Sequence, residues 1–216
     1  MSDASFSALL ARRRMVRSYL PDPIEHEIVE RIVRTVRHAP SAGFSQGHRL
    51  VVVTEPGTRR ELARLAGEDE RLAAGAPTWI SVAPVHVVVG VREESYHERY
   101  RKPDKLRDGE EIAWPAPYWY VDAGALFLLL QLAALSEGLG AGVYGVAGEA
   151  VPELKALLAL PDDVHFVCVV TIGRQARDAD DGALVSRLTE ARAPFDELVR
   201  FERWERQGRT PPATNP

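Results

Sequence analysis

The chain has 216 residues, 45% apolar and 27% charged, with 27 Lys+Arg against 31 Asp+Glu and a net charge of −4. That length carries one domain with a sizeable core, and the composition excludes a disordered chain, a collagen-like chain and a disulfide scaffold. The acidic balance excludes a global basic field for nucleic acid, and the single cysteine, Cys168, excludes an internal disulfide and a zinc site built on several thiolates.

The opening residues, Met1 to Phe6, lack the basic-then-apolar order of a signal peptide. The longest uncharged apolar stretch, Ala123 to Ser136, falls short of the roughly 20 residues of a membrane span. A cytoplasmic setting with no membrane partner is the expectation. Apolar residues at Ile28, Val29, Ile32, Val33 and Val36 follow a 3.6-residue rhythm and predict an amphipathic helix over Ile24 to Arg37, ended by Pro40. Arg49 to Thr54, with three consecutive valines, predicts a strand. Gly57 to Leu65 predicts a short helix, and Pro84 to Val91 a second strand.

Glu93 to Tyr120 is charged at first and then rich in proline and aromatics, holding four of the six tyrosines and two of the four tryptophans. It reads as an excursion on one domain, because linkers are seldom aromatic. Val121 to Glu137 predicts a helix apolar on nearly every side, which a partner subunit would help to cover. Val151 to Leu160 predicts another helix, ended by Pro161, and His165 to Ile172 a central strand that buries Cys168. A short helical piece is predicted around Phe195 to Trp204, ahead of a frayed end. There are no repeats and no boundary, so a single domain over 1–216 is expected, of α/β or α+β class.

Two motifs fail their context tests. Gly43-Phe44-Ser45-Gln46-Gly47 matches the hydrolase elbow G-x-S-x-G, but a helix precedes it and a strand follows, the reverse of the required order. Gly140-Ala141-Gly142-Val143-Tyr144-Gly145 matches G-x-G-x-x-G, but it leaves a helix rather than a strand. It reads as a helix stop and a turn into an extended segment, with glycines that let backbone approach a flat ligand. The six histidines show no ligand spacing, and no metal is expected.

Two segments carry chemistry. Arg12-Arg13-Arg14-Met15-Val16-Arg17-Ser18-Tyr19 interleaves arginines with packing residues. Packed guanidiniums need anions, and phosphate is the natural bidentate partner; a solvated cationic face is the alternative. Ala39-Pro40-Ser41-Ala42-Gly43-Phe44-Ser45-Gln46 joins helix to strand with small residues. Such a loop lets a planar ring lie on backbone while Ser41 and Gln46 address its edge; an ordinary connection is the alternative.

These segments, with the helix ending Glu137-Gly138-Leu139-Gly140, the run Leu157-Leu158-Ala159-Leu160-Pro161 and Arg192-Ala193-Pro194, resemble the nitroreductase family of FMN-dependent oxidoreductases. The resemblance implies an α+β fold, a mixed sheet flanked by helices, working as an intertwined homodimer with FMN at the interface. It implies that Arg13 and Arg192 grip the FMN phosphate, with Arg14 and Met15 adjoining, and that Arg17 lies by the pyrimidine end. Pro40, Ser41, Ala42 and Gly43 would line the flavin, with Gln46 nearby, and the backbone at Gly145 and Val146 would face its reactive edge. A fixed cation beside the reduced ring favours two-electron chemistry, and no catalytic acid or base is required. Met15 replaces a frequent phosphate-binding serine, Phe44 a common asparagine, and Gly47-His48 a frequent Pro-Trp.

The implied activity is a ping-pong cycle in which NADH or NADPH reduces the enzyme and a flat conjugated acceptor, a nitroaromatic or quinone, reoxidises it. Phe44, Tyr118 and Trp119 are the expected acceptor contacts, the aromatic excursion forming either a lid or dimer packing. A specialised reaction of the same family, a serine hydrolase on Ser45 and a non-catalytic flavin-binding dimer are the competing readings.

Overall fold

Two valine-rich strands, β2 (Val85–Arg92) and β4 (Val164–Gly173), lie together in the middle of a four-stranded sheet with β1 (His48–Val53) and β3 (Gly140–Tyr144) at its edges. The order is β1-β2-β4-β3, and every pairing is antiparallel. The expected mixed sheet is therefore antiparallel throughout the described residues: β2 and β3 run in the same sense, but β4 lies between them and pairs with both in the opposite one. The computed structural model describes residues 5–176 and 191–204. The chain divides into two units, Met1–Ala176, which holds the sheet, and Arg177–Pro216.

Both faces of the sheet are covered. Val85, Val87, Val89 and Val91 pack with α2 (His26–Val33) and α6 (Tyr118–Ser136). Val88 and Val169 pack on the other face with α3 (Pro56–Leu65) and α7 (Val151–Leu157). Two covered faces remove the polar alternation, which is why both strands read as continuous apolar runs. Cys168 is buried in the first cluster, and burial pushes its thiol up to about 12.

The predicted helix over 24–37 begins at His26 and tightens after Val33 into a 3-10 turn, Arg34–His38. Helix α3 is capped by Glu55, whose carboxylate accepts from Gly57 N and Thr58 N at 2.7 and 2.6 Å. Helix α7 stops at Leu157, and Ala159 turns left-handed (φ 49°) where the helix was expected to run on to Leu160. Three helices carried no clear signal: α1 (Phe6–Arg12), α4 (Glu68–Ala73) and α5 (Glu94–Tyr100). In the second unit α8 spans only Phe195–Leu198.

Helix α6 starts three residues earlier than expected and is long and apolar enough to cross a membrane by length and composition. Here it lies on the sheet. Ala123, Leu126, Leu130 and Ala134 make its fully buried stripe. The opposite stripe, Val121, Ala125, Leu128, Leu132 and Leu135, is apolar as well, and Val121 and Leu128 are exposed in the single chain.

Candidate functional site

From Arg13 the chain leaves α1 and runs extended along β3. Val16 N donates to Ala141 O at 2.9 Å, and Tyr19 O–H is held by Val16 O and Thr171 Oγ1. The approach is close: a Cβ on Gly142 would stand 2.3 Å from Val16 O. The middle glycine of G-x-G-x-x-G thus lets the arginine-rich segment lie against β3, and the motif is itself the strand. Val16 is buried, whereas Met15 and Arg17 are exposed, the alternation of an extended chain.

Two cavities flank this segment. One, of about 150 Å³, is lined by Arg12, Arg13, Arg14, Gln131 and Gln175 among others. Arg14 Nη2 donates to Gln175 Oε1 at 3.1 Å, and among the described residues the buried Gln131 Oε1 has no hydrogen-bond partner. The other, of about 400 Å³, brings Arg17 together with Arg71, Trp79, Tyr144 and Gly145. The Arg17 guanidinium sits 6.0 Å from the Trp79 ring centroid. Where Gly145 would carry a Cβ there is no atom within 4 Å, so its backbone is open to a ligand.

A buried polar chain shapes the larger cavity. The Glu68 carboxylate accepts from Trp79 N, Ile80 N and Ser81 N at 2.9, 2.6 and 3.0 Å, fixing the wall that carries Trp79. Burial opposes its ionisation, but these bonds and the Ser81 side chain outweigh it and hold its pKa below the ordinary carboxylate range. His86 Nε2 lies 2.9 Å from Ile80 O, and Nδ1 lies 3.1 Å from Tyr144 Oη. A carbonyl only accepts, so Nε2 carries the proton and Nδ1 accepts from the tyrosine. The neutral ring fixes Tyr144 beside Gly145.

The turn at 40–46 is built differently. Gly43, Phe44 and Gln46 all have positive φ (60°, 60° and 52°). The surroundings impose this shape. Asp122 Oδ2 accepts from Ala42 N at 2.9 Å and from Tyr96 O–H at 2.8 Å, and Arg99 Nε donates to Gly43 O at 2.9 Å. A Cβ on Gly43 would stand 2.6 Å from Tyr100 Cε2. Ser41 Oγ accepts from Gln46 N, and Ser45 Oγ donates to Ala42 O at 2.6 Å. Ser45 thus spends its proton on backbone within a turn that leads into β1, and no nucleophile elbow forms.

A model of the Nitroreductase family matches residues 10–174. The chain belongs to the nitroreductase family. By family it is an oxidoreductase. It is 28% identical over 198 residues to an NADH dehydrogenase of Thermus thermophilus, covering 82% of this chain and 88% of that protein. It is 29% identical over 174 residues to an FMN reductase (NAD(P)H) of Bacillus subtilis, covering 77% of this chain and 64% of that protein. A nitroreductase family protein of Streptococcus pneumoniae shares the fold, with a TM-score of 0.67 at 20% identity over 91% of this chain and 99% of that one.

Within this nitroreductase-family chain the expected site residues fall into three groups. Arg13 and Arg14 line the small cavity, and Arg17 and Gly145 the large one, while Val146 is half-buried against the core cluster of the second sheet face. Pro40, Ser41, Ala42, Gly43, Phe44 and Gln46 share the strained turn and line neither of these cavities. Arg192 is exposed in the second unit.

The excursion is no free lid in the single chain. Tyr96 is fully buried and Trp119 nearly so, packed edge-on against each other at 6.0 Å. Trp119, expected at the acceptor, is core here because α6 begins at Tyr118 and turns it inward. Tyr118 stays exposed. Sequence reasoning missed Glu68, His86, Asp122, Arg71 and Arg99. Only Asp122 carried a signal, as a lone carboxylate at the head of an apolar helix.

Proposed function

We propose that this protein is an FMN-dependent oxidoreductase that uses NADH or NADPH to reduce nitroaromatics, quinones or similar flat conjugated acceptors in a ping-pong cycle. The observation that carries this reading is the meeting of Arg17 and the open backbone of Gly145 on one cavity, with Arg13 four residues upstream on the same extended segment. The donor set fits FMN. Guanidiniums on the two cavities suit a phosphate and a reduced pyrimidine, and the unsatisfied Gln131 amide adds a polar group beside Arg13.

Bound FMN supplies a two-electron carrier between nicotinamide and acceptor. Arg13 holds the phosphate, the role that the family resemblance also gives to Arg192. Arg17 stabilises negative charge at the pyrimidine end. The turn at Ser41 to Gln46 forms a wall of the flavin site and presents Phe44 to the acceptor, with Tyr118 nearby in the assembled enzyme.

A homodimer completes the site. The turn lines neither cavity of its own chain, and the apolar outer stripe of α6 needs cover. A second copy that covers the stripe brings its own turn to the flavin.

The test is an absorbance spectrum of the purified protein before and after anaerobic NADH or NADPH. We expect flavin bands that bleach with at least one nucleotide, and FMN in the supernatant after heating. A protein that stays colourless after incubation with FMN would refute the proposal. Analysis of the products formed from a nitroaromatic separates simple reduction from a specialised reaction.

A further inference from the structure

We propose that His97 is a positioning residue for the turn at 41–46: as an imidazolium it ties Glu93 to Glu111 and so fixes helix α5, which grips that turn. The turn's part in acceptor binding rests on the flavin reading above; the tie itself does not.

The turn takes its shape from α5. Arg99 donates to Gly43 O, the Tyr100 ring lies against Gly43, and Tyr96 O–H shares Asp122 with Ala42 N. Yet α5 has only seven residues, too few to hold a helix in water by propensity. Contacts from outside the helix must hold it.

His97 stands in the middle of α5 with a carboxylate at each ring nitrogen. Nδ1 lies 2.5 Å from Glu111 Oε1, and Nε2 lies 3.4 Å from Glu93 Oε1. A neutral imidazole has one N–H, so one carboxylate would meet a lone pair; only the imidazolium donates to both. Glu111 belongs to the aromatic excursion and also accepts from Trp114 Nε1 at 2.7 Å and Arg101 Nε at 3.0 Å. The Trp114 ring packs edge-on 4.4 Å from Tyr100 and 6.1 Å from His97. One proton on His97 therefore joins the start of α5, the excursion and the ring that touches Gly43.

Burial opposes the charge on His97, but the bonds to Glu111 and Glu93 outweigh it and hold its pKa above the ordinary histidine value. With the folded value raised, the tie is complete below about pH 6.5 and is lost as pH climbs through the folded value. Around the ring stand Glu93, Glu111 and Arg101, with Glu94 paired to Arg101. Helix α6 presents the uncharged Trp119, and β4 brings His165, whose Nε2 lies 3.3 Å from Glu93 Oε2. Carboxylates and guanidiniums ordinarily keep their charge through neutral pH, which leaves His165 as the rival to separate by experiment.

The experiment uses the full chain loaded with FMN, its tryptophans labelled with nitrogen-15. The indole N–H resonance of Trp114, assigned by its loss in Trp114→Phe, reports on Glu111 directly. In wild type it should shift with a midpoint above about pH 6.5. The transition should vanish in His97→Gln and move to lower pH in Glu93→Gln. At pH 6, hydrogen exchange of the 41–46 amides should run about tenfold faster in His97→Gln than in wild type, and at pH 9 the two should converge. Comparing the proteins at one pH removes the intrinsic pH dependence of exchange. Reoxidation of the reduced enzyme by nitrobenzene, an uncharged acceptor, should be slower in the variant by a similar factor at pH 6 and equal at pH 9.

An indole transition that survives in His97→Gln assigns the titration to His165 and overturns the proposal. So does a variant-to-wild-type ratio, in exchange or in reoxidation, that is the same at pH 6 and pH 9, because a purely structural role does not follow the proton. A chain that takes up no FMN refutes the flavin reading alone, and the indole titration and the exchange ratio of the chain as purified then decide this one.

Discussion

Phe44 combines a left-handed backbone with a ring that is 74% exposed, so it gains little burial in return for its strain. A non-glycine residue in that region costs about 1–2 kcal/mol, and the extra chain entropy of glycine offsets about 0.5–1 kcal/mol of the relief. Phe44→Gly is therefore expected to raise the stability of the chain by about 0.5–1 kcal/mol in urea melts while raising the acceptor KM. Strain held in place by Asp122, Arg99 and Tyr100 and relieved at the expense of activity is the signature of a functional turn. A melt that loses stability would mean that the ring packs on something in the folded protein.

At the scale of elements, α6 decides the assembly. Its inner stripe is spent on the sheet, and its outer stripe of Val121, Ala125, Leu128, Leu132 and Leu135 repeats at helical spacing and is incompletely covered in one chain. Leu128→Glu separates the two readings of that stripe. On a solvated face it changes stability by less than about 0.5 kcal/mol. Against a second copy it buries an unpaired charge in each protomer. We expect wild type to sediment as a dimer and the variant as a monomer, with FMN retention falling in parallel.

At the scale of the whole molecule, the buried chain from Glu68 to Tyr144 links fold stability to pH. Burial pushes the His86 pKa down to about 4, against about 6.5 in an unfolded chain. Between those values the unfolded state takes up a proton that the folded state refuses, so stability is complete above about pH 6.5 and falls as pH drops toward 4. At pH 5, still above the ordinary carboxylate range, the loss is about 2 kcal/mol relative to pH 7. Urea midpoints at the two pH values measure it, and His86→Asn should shrink the difference. An equal difference in the variant would assign the pH dependence to other groups.

The sequence by itself determined the class and the parts. The valine runs, the 3.6-residue rhythm of α2 and the ordered motifs from Arg13 to Arg192 depend on local periodicity and residue type, and these are written along the chain. The same information placed Arg17 and Gly145 in one site, through motif resemblance rather than geometry. Only the tertiary structure decided that Trp119 is core, that the sheet is antiparallel, and that Gly142 serves backbone approach. It alone revealed Glu68, His86 and Asp122, whose roles lie in hydrogen bonds to groups 12, 58 and 80 residues away. A buried polar side chain is defined by the partner that satisfies it, and that partner is chosen by the fold, not by its neighbours in sequence.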